Sequence, residues 1–169
     1  MVSKATENTT PESVEDDDPF SDPGSASGYP SLKQLKGRVV IVVPKVLEKN
    51  LPNTLNPGQT RDRLTADVHV LTGDDIESRI DDDDNETPFD EPMKVPFKLE
   101  DMYLSGAKLI NETKAKLPQG EKPAGMVIGV LTKLPPQKAG QKGAWSLAQA
   151  TPEQKAIGRK YLANVDPFA

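Results

Sequence analysis

Residues 38–47 read RVVIVVPKVL, the longest apolar run in the chain. Five consecutive positions, Val39, Val40, Ile41, Val42 and Val43, are β-branched. Such side chains lose rotamer freedom in a helix and pack well on a pleated surface, so the run predicts a strand. It is apolar on both faces, which implies a central strand or one in a closed barrel. Pro44 has no amide hydrogen to donate, so a bulge or an unpaired edge is expected there. Arg38 precedes the run and Lys45 and Lys49 follow it. A small β domain with positive charge around its rim is the first expectation.

Working outward, residues 48–62 (EKNLPNTLNPGQTRD) contain two Pro, one Gly and three Asn. They predict a long loop, with Arg61 and Arg63 at its far end. Residues 64–71 (LTADVHVL) follow. Leu64, Ala66, Val68 and Val70 share one face by alternation, and Thr65, Asp67, His69 and Leu71 share the other. This is a half-buried second strand, closed by Thr72 and Gly73. His69 then lies on the outward face, as a surface or binding-face residue. Residues 74–92 predict a second loop around Asp81, Asp82, Asp83 and Asp84, whose mutual repulsion keeps them from ordering without a cation. The spacing lacks the central Gly and terminal Glu of a calcium loop.

Residues 93–97 predict a short third strand. From 100 to 116 the apolar positions Met102, Leu109, Ile110 and Thr113 approach a 3.6 period, with Lys108, Glu112 and Lys116 on an outer face. A helix is expected there, although residues 102–104 also fit a strand. Pro118 and Gly120 stop it. Residues 125–131 (GMVIGVL) predict a fourth strand in which Gly129 marks a bulge or a close approach. A Lys-rich loop over 132–144 leads to a fifth strand over 145–148. Thr151, Pro152 and Gln154 form a strong helix start: a cap, a proline at the first helical position and a capping-box partner. That last helix turns Ile157, Tyr161 and Leu162 inward.

The length of 169 residues fits about one domain. Residues 1–30 hold one aromatic pair, Phe20 and Tyr29, amid Ser, Thr, Pro, Gly and acids, so they are expected to be a disordered acidic tail. Residues 31–169 form the domain. No stretch approaches the ~18 apolar residues of a membrane span. The acidic start does not resemble a signal peptide. The chain has no cysteine, which excludes disulfides and thiolate metal sites and fits a reducing, cytoplasmic setting. The net charge of −5 hides segregation: residues 1–30 carry −6, residues 74–91 carry −9 and the remainder carries +10. A basic body points to a polyanion partner, and the acidic segments can moderate that binding or simply solubilise the chain.

Five strands with a helix between the third and fourth, and a C-terminal helix, give the order of the five-stranded Greek-key OB barrel. That fold binds oligonucleotides through one sheet face and the loops joining strands one–two and four–five. Here both loops are long and basic. Catalysis finds no support in the residues. His69 is the only histidine, no serine sits in a nucleophile elbow and no glycine-rich phosphate loop is present. No metal or cofactor site is expected. For single strands, cations replace counterions and aromatic rings stack on bases. Trp145, directly after the Lys-rich loop, is the stacking candidate, with a core-anchoring role as the other reading. Tyr103 and Tyr161 read as packing residues.

The string GMVIGVLTKLPPQKAGQKGAWSL over 125–147 and the capped TPEQKAIGRKYL resemble single-stranded DNA-binding proteins encoded by phages of actinobacteria. GRVVIVVPKVLEKNLPNTL and TADVHVL resemble the same group, over about residues 19–165 in all. The resemblance implies an OB fold, no catalytic residues and a role in phage DNA replication or recombination, in the host cytoplasm. The acidic insert at 74–91 departs from that pattern.

The expected function is sequence-tolerant single-stranded DNA binding. Arg38, Lys45, Lys49, Arg61, Arg63, Lys133, Lys138 and Lys142 would meet phosphates, and Trp145 would stack on a base. Acidic Pro-Phe segments, at residues 15–20 and 166–168, resemble the acidic Pro-Phe tip of bacterial single-stranded DNA-binding proteins and would recruit replication proteins. Whether the chain forms a homo-oligomer stays open. The alternative is a phage structural or assembly protein using the same β domain as an interaction module.

Overall fold

The β-branched run lies at the centre of strand β1, Val39–Pro52, which pairs antiparallel with β2, Thr60–Val70, on one side and with β6, Val127–Lys133, on the other. The computed structural model describes residues 29–53, 57–140 and 143–168. The expected tail therefore lies outside the described residues except for Tyr29 and Pro30. These two are not solvent-borne: Pro30 is fully buried and Tyr29 packs against the core.

Five strands form one antiparallel sheet. Two outer strands, β5 (Phe97–Leu104) and β7 (Trp145–Gln149), complete the order β5-β2-β1-β6-β7. Among the described residues β5 and β7 do not pair, so the sheet is not a closed barrel. Strands β3 (Ile76–Ile80) and β4 (Glu86–Met93) make a separate two-stranded hairpin. Short helix α1 (Leu32–Leu35) precedes β1. Helix α2 (Ala107–Thr113), extended by a 3₁₀ turn, lies between β5 and β6, and α3 (Pro152–Leu162) follows β7.

Both faces of β1 are buried, as its composition demands. Val40 and Val42 enter the main core with Leu64, Ala66, Val68, Val70, Leu99 and Leu131. Val39, Ile41 and Val43 form a second cluster with Leu71, Ile128, Tyr161 and Leu162 under α3. Truncating Ile41, which is 1% exposed, to alanine would cost about 2–5 kcal/mol. The bulge expected at Pro44 is present. The register runs from Pro44 opposite Ala66 to Val46 opposite Thr65, leaving Lys45 as the extra residue. Gly129 is a close approach: a Cβ there would sit 2.9 Å from the Ala148 carbonyl oxygen. The α3 start is built as expected, with Gln154 N donating to Thr151 Oγ1 at 3.2 Å and Thr151 N donating to Gln154 Oε1 at 2.8 Å.

Several expectations need correction. Residues 48–52 and 60–63 continue β1 and β2, so both ends of the expected first loop are strand. The expected loop over 74–92 is mostly the β3–β4 hairpin, with the aspartates at its tip. The tip is a defined turn: Asp81 Oδ1 accepts from Asp83 N and from Asn85 N, both at 2.9 Å. Those donors hold the Asp81 carboxyl below the usual carboxylate range, the Asn85 amide first. The helix expected over 100–116 begins only at Ala107, because residues 97–104 are strand β5. A bulge explains the misreading. Leu99 faces Val68 and Met102 faces Ala66, so inward residues stand three apart there, as on a helix. Ile157 does not turn inward as expected; it is 41% exposed.

Candidate nucleic-acid interface

Helix α3 covers the outer sheet face over Val39, Ile41 and Val43. Beyond Pro44 the same face opens, and Val46 is 54% exposed. Here Arg63 of β2 lies opposite Glu48 of β1. It donates to Glu48 Oε1 from Nε at 3.0 Å and from Nη2 at 2.7 Å. The same guanidinium lies 4.2 Å from the ring centroid of Tyr103 on β5. A second cation–ring pair stands at the end of β6 and β7. Lys133 and Trp145 are register partners, with Nζ 5.3 Å from the ring centroid. Such pairs hold a ring at a fixed attitude beside a positive charge.

Tyr103 and Trp145 line one groove of about 510 Å³, between the unpaired edges of β5 and β7. Tyr29, Leu32, Met102 and Arg79 also line it. The Tyr29 hydroxyl donates to the Glu100 carbonyl oxygen of β5. Burial first, then the neighbouring Asp101 charge, pushes its pKa upward, so it stays a neutral donor. Arg79 Nη1 donates to the Tyr29 carbonyl at 2.9 Å. The remaining wall is acidic, formed by Asp81, Asp82 and Asp83.

The sequence-predicted cations divide into two groups. Arg38 donates to three backbone carbonyls, from Nε to Gln34 at 3.1 Å and from Nη1 to Thr72 at 3.3 Å and Asp74 at 2.7 Å. It clamps the turn at Gly73, where φ is +102° and a Cβ would sit 2.6 Å from Arg38 Nη1. Lys45 pairs with Asp101 Oδ1 at 2.7 Å and Asp67 Oδ1 at 3.3 Å. The Asp101 bond, foremost, raises its pKa. These two cations are engaged within the fold. Lys49, Arg61, Lys133 and Lys138 are exposed. Lys142 lies outside the described residues. Trp145 is half-buried against the main core, which fits its anchoring reading, and it also lines the groove.

His69 departs most from expectation. It is fully buried, because α3 lies over the face that alternation assigns to solvent. Its Nδ1 is 2.7 Å from the Tyr161 hydroxyl, and among the described residues Nε2 has no hydrogen-bond partner. The Pro167 backbone lies toward the ring and favours the charged form without reaching regular bond geometry. Desolvation outweighs it and lowers the histidine pKa. A buried neutral imidazole under a helix has no access to substrate.

Tyr103, Tyr29 and Arg79 also line the groove, although the sequence places them in a helix, the tail and an acidic loop. The one signal in the sequence is the strand reading of residues 102–104, which presents Tyr103 opposite the face of Met102 and Leu104. Among the described residues no cluster of His, Asp and Glu is placed to hold a metal ion, and no helix is long and apolar enough to cross a membrane. Comparison with known proteins gave no match to a family model, a curated protein or a solved structure.

Proposed function

We propose that this chain binds single-stranded DNA without catalysis, seating bases on Trp145 and Tyr103 while the surrounding cations meet phosphates. The observation that carries this reading is the pairing of each ring with a cation at the border of one groove. Stacking on aromatic rings tolerates any base, which suits a sequence-tolerant binder. The strand order supports it too. With the β3–β4 hairpin set aside, β5-β2-β1-β6-β7 is the order of the OB barrel with the seam between its third and fifth strands left open. Residues 29–32 line that seam. The resemblance to phage single-stranded DNA-binding proteins points the same way, toward replication or recombination in a host cytoplasm.

Lys49, Arg61, Lys133, Lys138 and Lys142 are the phosphate contacts of this reading; Arg38 and Lys45 leave it, and Arg63, paired with Glu48, is the cation that holds the Tyr103 ring. A fluorescence titration with a labelled oligonucleotide tests it. With about five contacts, log affinity should fall against log salt with a slope of about −3 to −4, at ~0.7 per phosphate for single strands. Absent binding, or binding indifferent to salt, overturns the reading.

The alternative, a phage assembly protein, draws on a cleft of about 340 Å³ along α3, lined by Leu71, Pro96, Ile157, Tyr161 and Val165. Nearby Phe168, in the C-terminal Asp-Pro-Phe segment, is 52% exposed. That segment is also where replication proteins would be recruited. In the assembly reading the protein leaves an oligonucleotide unshifted and sediments as a defined assembly.

A further inference from the structure

The acidic hairpin tip and the aromatic rings share one groove, and this relation has a functional reading of its own. Asp82 and Asp83 are exposed at the β3–β4 tip, and both line the groove that Tyr103 and Trp145 line. Their backbone is set by the turn. Asp81 closes it by accepting from the Asp83 and Asn85 backbone amides, which places the residues that carry these carboxylates at the groove.

The tip is also latched to the helix α1 segment. Ser31 Oγ donates to the Ile80 carbonyl at 2.5 Å, and Gln34 Nε2 donates to the Ser78 carbonyl at 2.7 Å. Ile80 N donates to Gln34 Oε1 at 2.9 Å. Lys33 pairs with Asp84. The opposite end of the hairpin is held differently, by Ile76, Phe89 and Met93 packed on the main core. So the base is anchored by apolar burial, and the tip by polar bonds for which water and a polyanion's charge can compete.

We propose that the hairpin tip is a built-in competitor for the groove, its carboxylates holding a position that repels the phosphates of an incoming strand. The inference rests on the nucleic-acid reading above and adds regulation to the same site. Strand entry then requires the tip to be pushed aside or its charge to be screened. Affinity is set by the difference between attraction to the exposed cations and repulsion from this one wall. The mechanism predicts locality: charge removed from the tip matters, and equal charge removed elsewhere on the hairpin does not.

The test compares three full-length proteins binding the same fluorescent oligonucleotide at low and at high salt: the parent, Asp82→Asn with Asp83→Asn, and Asp90→Asn with Glu91→Gln. Asp90 and Glu91 are exposed on β4 and do not line the groove, so the third protein carries the same change in net charge. The tip variant should bind about three- to tenfold more tightly at low salt, with the gain disappearing as screening sets in. The β4 variant should stay close to the parent. Unchanged or weaker binding by the tip variant overturns the proposal while leaving the DNA reading in place, provided the parent binds. Equal gains in both variants also overturn it, because net charge alone then suffices. Binding by none of the three overturns the DNA reading and this inference together.

Discussion

The buried carboxylate of Asp67 accepts a hydrogen bond from the backbone N–H of Asp101 at 3.0 Å. Asp101 lies in the bulge of β5, with φ at +53°, and Asp67 stands at the same register break on β2. The same oxygen receives Lys45 Nζ, the bulged residue of β1. One side chain on the middle strand therefore ties down the irregularities of both its neighbours.

Replacing Asp67 with alanine strands the Asp101 amide and leaves Lys45 with Asp101 alone. The expected loss is about 1–3 kcal/mol of folding stability, the usual range for an orphaned buried donor. Asp67→Asn keeps an acceptor and should fall between the parent and the alanine variant. Urea unfolding of the three proteins checks the order; an alanine variant as stable as the parent removes Asp67 from this role.

Arg63 tests whether guanidinium shape matters. Lysine keeps the charge but loses the forked contact with Glu48 and the flat face over Tyr103. If Arg63 positions Tyr103 for stacking, Arg63→Lys should weaken oligonucleotide binding by about 0.5–1 kcal/mol at unchanged net charge. Equal affinity would show that Arg63 acts as charge alone.

Trp145 is the only tryptophan, so its emission reports on one place. Adding an oligonucleotide should quench it. Trp145→Ala should weaken binding by about 1–3 kcal/mol, and Trp145→Phe should recover much of that because a ring remains. Both variants also lose core contact, so binding is compared only where each remains folded by circular dichroism. No quench, with full affinity in a folded Trp145→Ala, assigns the ring to packing.

What could be read from residues alone followed from which signals were local. The both-sided apolarity of residues 39–43, the Pro44 bulge and the Thr151 cap are decided within a few residues, and each is seen in the structure. His69 shows the limit. Alternation correctly puts it on the face opposite Val68, but only a helix arriving from 92 residues downstream decides that this face is dry. Residues 99–104 failed for a different reason: a bulge inserts a spacing of three into a strand and imitates a helix. The groove was invisible because its lining comes from segments distant in the chain, Tyr29, Arg79, Tyr103 and Trp145.

The buried histidine has a measurable consequence. Burial depresses its pKa in the folded state below the ordinary histidine value of about 6.5. Above that value folded and unfolded chains both hold it neutral, and stability is complete. As pH falls below 6.5 the unfolded chain takes up a proton that the folded chain refuses, so stability declines until pH passes the folded value. Facing charges act on the same ring, Lys98 against its protonation and Asp67 in favour. Urea midpoints measured from pH 8 to pH 5 should show this decline in the parent, and His69→Gln should flatten it. Identical profiles would place the acid sensitivity elsewhere.

Glu112 makes the last prediction, at the outer edge of the sheet. An edge strand offers unpaired backbone groups to any other chain. On β7 the Leu147 N–H is taken by Glu112 Oε1 at 2.9 Å, and the Ser146 hydroxyl by Oε2 at 2.7 Å. Helix α2 thus supplies, through one carboxylate, the acceptor that a sixth strand would have supplied. Lys108, one turn earlier, lies 3.7 Å from the same carboxylate and helps hold it there. Glu112→Ala should cost about 1–2 kcal/mol for two lost bonds to a charged acceptor at a half-buried site, and it should also free the edge. The second effect separates capping from simple packing. An uncapped β7 should self-associate with rising protein concentration, visible by gel filtration, while Glu112→Gln, which retains a carbonyl for the Leu147 amide, should stay at the parent's elution volume. If Glu112→Ala loses stability but its elution volume does not depend on concentration, the carboxylate anchors α2 to the sheet without guarding its edge.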